Sequence, residues 1–179
     1  GNTGPLSTTA NFTIDTAAPT ITAIQTTAFS WGSVLNATED NSDGTVSVTT
    51  SGVEEGQTLT ITLNGATYTN TVSSNSVTVT ISAAGLQALT NGSSYTLTAD
   101  VSDTAGNAAT QVTSSSFSVE TTAPTISEVS LAADNSTLTV TMSEAVYNTN
   151  GGSGSIEISD FALSISGGVA SINATPSTI

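Results

Sequence analysis

The sequence predicts an all-β protein built from tandem β-sandwich domains. Three features of the chain predict this fold. A ten-residue segment recurs once, short runs alternate apolar residues with Thr or Ser, and Gly, Asn and Asp separate those runs. Ser and Thr make up 64 of the 179 residues, and Thr favours strands. The apolar residues are mostly Val, Ile, Leu and Ala, which suffice for thin sandwich cores.

The recurring segment predicts the domain organisation. Residues 12–21 (FTIDTAAPTI) reappear as residues 117–126 (FSVETTAPTI), which places Pro19 and Pro124 105 residues apart. This period fits a β-sandwich of about 100 residues, and proline favours an extended entry into each unit. We therefore expect one complete domain at 19–121. Residues 1–18 are expected to be the last strand of a preceding unit plus its linker, and residues 122–179 the first part of a following domain.

Alternation with a period of two places the strands of the complete domain. Leu59, Ile61 and Leu63 alternate with Thr, and the Asn-Gly pair that follows them predicts a two-residue hairpin turn. Residues 83–89 are expected to form a short helical turn. Seven strands are predicted, at 20–27, 45–50, 57–63, 66–72, 76–82, 93–102 and 109–119. Seven short strands are typical of an immunoglobulin-like sandwich, in which we expect Trp31 to be a core residue.

Residues 122–179 contain four further strand-like runs, at 124–132, 136–142, 155–159 and 161–166. These are too few to close a sandwich, so an unpaired sheet edge is predicted unless another segment covers it. One interpretation is that the sequence is a slice of a longer chain. The alternative is a subunit that completes its sheets by strand donation between copies, as in pilus-like polymers.

The charge composition excludes several functions. The chain has no Lys, Arg, His or Cys, and its 14 acidic residues give a formal net charge of −14. Histidine bases, cysteine nucleophiles and lysine Schiff bases are therefore excluded. Nucleic acid is excluded as a partner because phosphate binding needs cations. No apolar run is long enough to cross a bilayer, so membrane insertion is not expected. A glycosidase would need paired carboxylates, but the candidate pairs lie on loops without aromatic residues, so we predict that the protein is not an enzyme.

Acidic residues from three separate segments are expected to meet at one end of the complete domain. In a seven-strand sandwich whose strands alternate in direction, loops 51–56 and 103–108 lie beside the incoming linker. Because the protein supplies no cation, carboxylates at this end would repel one another. Calcium resolves the conflict, since it binds carboxylate, carbonyl and Asn oxygens in a tolerant geometry. The candidate ligands are Asp15, Glu54, Glu55, Asp100, Asp103 and Asn107.

The loop before the second predicted strand is another candidate calcium site. Its oxygen-bearing side chains belong to Glu39, Asp40, Asn41 and Asp43, and Gly44 follows them. This spacing resembles the first half of a calcium-binding loop. It is not an EF-hand, because Thr50 stands where the last glutamate would be required. The alternative for both sites is a set of ordinary solvated turns, because Asp, Asn and Gly are turn formers.

Several runs resemble a known family. Residues 43–65, 86–92 and 99–107, together with the Ala-Pro linkers, are similar to the immunoglobulin-like extender repeats of giant calcium-dependent bacterial surface adhesins. Residues 143–147 and 160–168 resemble a second immunoglobulin-like repeat type of such proteins. The resemblance implies long arrays made rigid by calcium at linkers and loops. By matching position it implies Asp15, Asp103, Asn107 and the Glu39–Asp43 loop as ligands, and Glu120 stands at the second linker where Asp15 stands at the first.

These features together predict a structural extender of a secreted bacterial surface adhesin or extracellular fibre. The expected partners are Ca²⁺ and neighbouring immunoglobulin-like repeats of the same or identical chains. The expected location is the cell surface. A different function also stays open, namely a ligand-binding adhesin module for glycan or ice. Thr-x-Thr arrays such as residues 58–62 and 78–80 are the feature that favours it, although they are also ordinary strand surface.

Overall fold

The computed structural model describes residues 13–149 and 153–161 and divides the chain into two units, Gly1–Thr121 and Thr122–Ile179. Each unit is described by itself. Most of the strand expected at residues 1–18 lies outside the described residues, as does most of the run predicted at 161–166. The predicted domain boundaries stay predictions.

Ten strands and one short helix form the described part of unit 1. Two 3-10 turns, Thr26–Ala28 and Glu39–Asn41, complete the regular structure. The elements are β1 (Thr20–Ile21), β2 (Val34–Asn36), β3 (Gly44–Ser51), β4 (Thr58–Leu63), β5 (Ala66–Thr71), β6 (Ser76–Ile81), α1 (Ala83–Gln87), β7 (Ser94–Tyr95), β8 (Leu97–Asp100), β9 (Val112–Thr113) and β10 (Phe117–Glu120).

The strands of unit 1 form three hydrogen-bonded sheets, with strand orders β1-β3-β6, β5-β4-β8-β9 and β2-β10-β7. All pairs are antiparallel except β2 with β10, which run parallel. Inward-facing residues of all three sheets join one hydrophobic cluster, which includes Val46 of β3, Ile61 of β4 and Phe117 of β10. The predicted all-β sandwich is thus confirmed, because the inward faces of these sheets pack against one another around a shared core.

Alternation along β3, β4 and β6 explains this core. Val46 and Val48 of β3 are buried, while the residues that alternate with them, Ser47 and Thr49, face outward. Such a pattern fixes the register, because a one-residue slip would move the valines to the solvent side. At the predicted hairpin turn between β4 and β5, Asn64 and Gly65 adopt φ values of 48° and 80°. Two left-handed residues are what a tight hairpin of this kind requires.

Trp31 is a core residue, as predicted, with 5% of its surface exposed. Its ring stacks on Phe29 at a centroid distance of 5.2 Å and meets Phe117 edge-on at 5.4 Å. The backbone of Gly44 lies directly against the six-membered ring of the indole. This aromatic cluster packs the irregular segment before β3 against the last strand of the unit.

Three of the predicted strands are wrong in extent, and one strand is missing from the prediction. The strand expected at 20–27 ends at Ile21, because the chain leaves the sheet and turns at Thr26–Ala28. Strand β2, at Val34–Asn36, was not expected. The strands expected at 93–102 and 109–119 are each interrupted. At the interruption Ser114 is buried, and its hydroxyl accepts the Leu97 N–H at 2.9 Å.

Unit 2 contains one described hairpin, β11 (Ile126–Leu131) paired with β12 (Leu138–Met142), in agreement with the runs expected at 124–132 and 136–142. The strand expected at 155–159 is wrong, because Ile158–Asp160 is a 3-10 turn in which the Asp160 carboxylate accepts the Glu157 N–H at 2.8 Å. Val129 lies opposite Val140 across the hairpin, and both side chains are exposed. The strand-donation alternative stays a prediction.

Candidate functional site

Three loops of unit 1 are tied together at one end of the sandwich, which we call the N-terminal end. Glu54 Oε2 accepts the backbone N–H of Thr104 at 3.0 Å, and Gln57 Nε2 donates to the Thr104 hydroxyl at 3.1 Å. The Glu55 carboxylate accepts the backbone N–H of Ser74. The loops that follow β3, β5 and β8 therefore meet, as strand alternation requires. Glu54 and Glu55 act there as acceptors that join loops.

Asp103 and Asn107 form the most constrained polar pair at this end. Asp103 is 4% exposed. Its Oδ1 accepts the Asn107 backbone N–H at 2.7 Å, and its Oδ2 accepts the Asn107 side-chain amide at 2.8 Å. Gly106 closes the turn between them with φ of 92°, a conformation that favours glycine. The side-chain hydrogen bond from Asn107 is the largest cause that holds the pKa of Asp103 below its usual value.

Asp15 is connected to the same pair. The Asn107 Nδ2 also donates to the backbone carbonyl of Asp15 at 3.3 Å. The Asp15 side chain accepts the N–H of Ala17 at 2.9 Å, which turns the incoming chain. The Asn107 amide nitrogen thus lies between two oxygens. One is the carbonyl of Asp15, 92 residues away along the chain, and the other is a carboxylate oxygen of Asp103, 4 residues away.

This donor set has the right chemistry for a calcium ion. Calcium prefers carboxylate, carbonyl and amide oxygens, and Asp103, Asp15 and Asn107 offer one of each kind. Rotation of the Asn107 amide by half a turn would present its oxygen where its nitrogen now stands. Carboxylates alone do not make a site, because no group of three or more acidic side chains that could hold a metal occurs within residues 13–149 and 153–161.

Asp100 is placed apart from Asp103 on the outer face of the sheet. Both of its carboxylate oxygens accept hydrogen bonds from Gln111 Nε2, at 3.0 and 2.9 Å. Glu120 is the last residue of β10 and lies opposite Asn36 of β2. Asn36 in turn begins the loop that carries Glu39, so Glu120 lies near the second candidate site.

The second candidate site, the loop of residues 37–43, belongs to the other end of the sandwich. Glu39 Oε2 accepts the Asn36 N–H at 3.1 Å. Asn41 accepts from Gln87 Nε2 at 3.1 Å, and Asp43 Oδ1 accepts the Ala83 N–H at 2.9 Å at the start of α1. Asp40 lies in the 3-10 turn between them. These bonds fasten the loop to the helix.

An open pocket of about 200 Å³ lies beside this loop. Glu39 and Asp43 line it together with Ser30, Ser42 and the edge of Trp31. Each of the two carboxylates uses one oxygen in the bonds described above and keeps a second oxygen. Of the four candidate ligands in this loop, Glu39 and Asp43 therefore face a common pocket.

The partners of the acidic residues are what sequence reasoning missed. Gln57, Gln87 and Gln111 each bind a loop or a carboxylate, and no charge or spacing marks them beforehand. In a chain without Lys, Arg or His, backbone N–H groups and side-chain amides supply the donors that cations supply in most proteins. Pairing of glutamines with strand-borne aspartates could have been guessed only from the sheet register.

The comparisons with known proteins add the family. No family model matches the chain, and no curated protein matches it. A solved bacterial immunoglobulin-like domain from the M. primoryensis ice-binding adhesin is 32% identical, over 57% of this chain and 94% of that domain, with a TM-score of 0.39. The chain belongs to the bacterial immunoglobulin-like domains. This assignment rests on sequence identity over nearly the whole of that domain and confirms the predicted fold class and family resemblance.

Two larger adhesin structures are also similar. One is a Ca²⁺-stabilised adhesin that helps an Antarctic bacterium bind ice; it is 31% identical over 65% of this chain, with a TM-score of 0.43. The other is a 1.5-MDa bacterial ice-binding adhesin retained at the host cell surface, 31% identical over 60% of this chain, with a TM-score of 0.41. The bacterial immunoglobulin-like chain spans 28% and 33% of their respective lengths. Within its described residues, no helix has the length and apolar character to cross a membrane.

Proposed function

We propose that this bacterial immunoglobulin-like chain is a structural extender of a secreted surface adhesin, made rigid by calcium where the chain enters each module. One observation carries the proposal. The amide of Asn107 links the Asp15 carbonyl of the incoming segment to the Asp103 carboxylate of a loop. An ion on these oxygens would fasten the incoming segment to the module and so restrict the linker.

The residues that would hold calcium are Asp103, through its carboxylate, and Asp15 and Asn107, through carbonyl or amide oxygens. The ion would supply positive charge to an end of the module that has none of its own. Asp103 is suited to this role, because its low pKa keeps it ionised well below neutral pH. The pocket beside Glu39 and Asp43 is the second position that we propose for an ion.

The distribution of charge in unit 1 supports an end-to-end role. Of its nine acidic residues, seven lie in loops or in the incoming segment, and only Asp100 and Glu120 are part of a strand. The outer faces of the sheets are instead lined with Thr and Ser, as along β4 and β6. Repulsion is therefore greatest where successive modules would meet, and ion binding there would relieve it.

The expected effect of calcium is large compared with the stability of a small domain. Extracellular calcium modules bind with Kd of about 10⁻⁴ to 10⁻³ M. At ion concentrations about 100-fold above Kd, one site adds about 2.7 kcal/mol to the folded state. For a domain near 100 residues this raises Tm by about 10 °C or more.

The test compares thermal melts of the full chain with calcium and with a chelator. We expect the calcium-dependent rise in Tm to be largely lost in Asp103→Asn. It should be kept in Asp134→Asn, a control at an aspartate of unit 2 whose pKa is also lowered by a turn hydrogen bond, from Ser136. Small-angle scattering of a multi-module chain should show a more extended particle with calcium. Equal Tm and equal scattering with and without calcium would defeat the proposal.

A second candidate function, binding to a flat hydroxyl-bearing lattice such as ice or an insoluble glycan, is favoured by the strand register. Four threonines stand side by side across β5, β4, β8 and β9, and their side chains face outward: Thr67, Thr62, Thr98 and Thr113. Thr60 with Thr69 and Thr58 with Thr71 form two shorter rows. Neighbours are separated by about 4.8 Å between strands and about 6.6 Å along a strand.

Removal of hydroxyls from this face would test the second function. The double variant Thr62→Val and Thr98→Val keeps the side-chain shape, and Thr78→Val on the opposite sheet is the matched control. Adsorption of the labelled protein to growing ice or to insoluble polysaccharide should fall in the double variant alone. Absence of adsorption by the unmodified protein would eliminate this function and leave the extender.

A further inference from the structure

Two Asn-Gly pairs lie in the described part of the chain, Asn64-Gly65 and Asn91-Gly92, and their surroundings differ. We propose that Asn64 is a site of spontaneous deamidation, and that hydrogen bonds of unit 1 protect Asn91 from the same reaction. A third pair, at 150–151, lies outside the described residues. Asn-Gly is the reactive pairing because glycine has no side chain to hinder the approach of its nitrogen.

The reaction needs only the chain and water. The backbone nitrogen of the glycine loses its proton and attacks Cγ of the preceding asparagine. The new N–C bond closes a five-membered succinimide, and the side-chain nitrogen leaves as ammonia, which carries the proton away. Water then adds to either ring carbonyl and opens the ring. The products are aspartate or isoaspartate, and each gains one negative charge relative to asparagine.

At Asn91 both reacting groups are engaged. The nucleophile, Gly92 N–H, donates to the Val119 carbonyl at 2.8 Å. The electrophile is held as well, because Asn91 Oδ1 accepts the Thr121 N–H at 2.7 Å. Succinimide formation requires that both hydrogen bonds open and that the side chain rotate toward the glycine nitrogen. The local opening therefore adds to the barrier of the reaction.

At Asn64 neither group is engaged. Within the described residues, no hydrogen bond involves the Asn64 side chain or the Gly65 N–H. Both residues are exposed at the tip of the hairpin between β4 and β5. The side chain can rotate freely, and only the turn itself must adjust. The two pairs have the same reactive residues, so the difference in reactivity comes from the fold.

The hydrogen bonds that protect Asn91 lie where the chain leaves unit 1, the position at which an extender would connect to its next module. Thr121 is the last residue of unit 1, and its N–H is fastened by Asn91. Isoaspartate at position 91 would lengthen the backbone by one carbon and displace this fastening. At position 64 the same product alters only a turn. Asn64 has a left-handed φ of 48°, which asparagine tolerates well. Ageing of the protein should thus start at the hairpin and spare the chain exit.

The experiment follows deamidation of the full chain in mildly alkaline buffer at constant temperature. Because the chain has no Lys or Arg, chymotrypsin rather than trypsin generates peptides for mass spectrometry. We expect deamidation at Asn64 to be at least about tenfold faster than at Asn91, since two hydrogen bonds must open at Asn91. In concentrated urea the two rates should come within about threefold, since the reactive pair is the same and the protecting hydrogen bonds of the fold are lost.

A variant tests the cause of the protection. Thr121→Pro removes the donor to Asn91 and suits a residue that follows a strand. It should accelerate deamidation at Asn91 and leave the rate at Asn64 unchanged. Far-UV circular dichroism checks that the variant stays folded. Equal rates at the two sites in the folded protein, faster reaction at Asn91, or the same tenfold order in urea would each overturn the proposal.

Discussion

Replacement of Gly44 by alanine should damage the aromatic core in a measurable way. A Cβ atom at this position would lie 2.6 Å from Cζ3 and 2.7 Å from Cε3 of Trp31, and 3.0 Å from Cδ1 of Leu86. Both neighbours are core side chains, with Trp31 5% and Leu86 1% exposed, so a shift of either would disturb the packing around it. Overpacking of this kind costs about 1–3 kcal/mol. The loss of chain entropy in the unfolded state returns about 0.4–1 kcal/mol.

The net expectation for Gly44→Ala is a loss of about 1–2 kcal/mol, which lowers Tm by about 5–15 °C in a domain of this size. Trp31 is the only tryptophan, so its fluorescence reports on the altered contact as well as on unfolding. Circular dichroism provides an independent melt. We expect a shift in the emission of the folded state together with the lower Tm.

Two further variants make the test decisive. Phenylalanine at position 31 lacks the second ring of the indole, so Gly44→Ala should cost about 1 kcal/mol less in a Trp31→Phe background. Gly65→Ala, where a Cβ would meet nothing within 4 Å, should leave the Trp31 emission unchanged. If Gly44→Ala melts within 2 °C of the original protein and its emission does not shift, the close packing described here is refuted.

Two other predictions concern charge and burial. The Asn107 hydrogen bonds hold the pKa of Asp103 below its usual value. They therefore stabilise the folded state fully above the unfolded pKa of about 3.9, and this stabilisation is lost as the pH falls through the lower folded pKa. Melts from pH 6 down to pH 2 should show this loss, and Asn107→Ala should shrink it; an unchanged acid profile would contradict the assignment. Val79→Ala should destabilise unit 1 by about 2–3 kcal/mol, because Val79 is 0% exposed. Val140→Ala, at an exposed position of unit 2, should change the free energy of unfolding by less than about 0.5 kcal/mol. Equal losses for Val79→Ala and Val140→Ala in chemical denaturation would contradict the difference in their burial.

The long strands were predictable from sequence, and the short ones were not. β3, β4 and β6 each place two or three apolar residues on one face, and this alternation is visible within each strand's own sequence. β2 has three residues and exists because β10 offers it a parallel partner, a property of the assembled fold. The interruption near Ser114 has the same origin, since a buried hydroxyl takes the place of a backbone acceptor.

The candidate site was predictable in part. Alternating strand directions were enough to bring the loops of Glu54, Glu55 and Asp103 to one end. They did not indicate that Glu54 and Glu55 would be used by backbone N–H groups, or that Asp100 would bind Gln111 on the sheet face. Which oxygen of a carboxylate finds which donor depends on distances of a few tenths of an ångström, and no spacing in the sequence encodes them.

The parallel pairing of β2 and β10 has a mechanical consequence. When the module is stretched from its termini and β1 has separated from β3, tension reaches β2 through its N-terminal residue and β10 through its C-terminal residue. Because the two strands run in the same direction, these pulls oppose each other along the strand axis. The hydrogen bonds between them are then loaded in shear as a group and do not open one at a time. The short pairing of Val34–Asn36 with residues 118–120 therefore resists stretching of the domain.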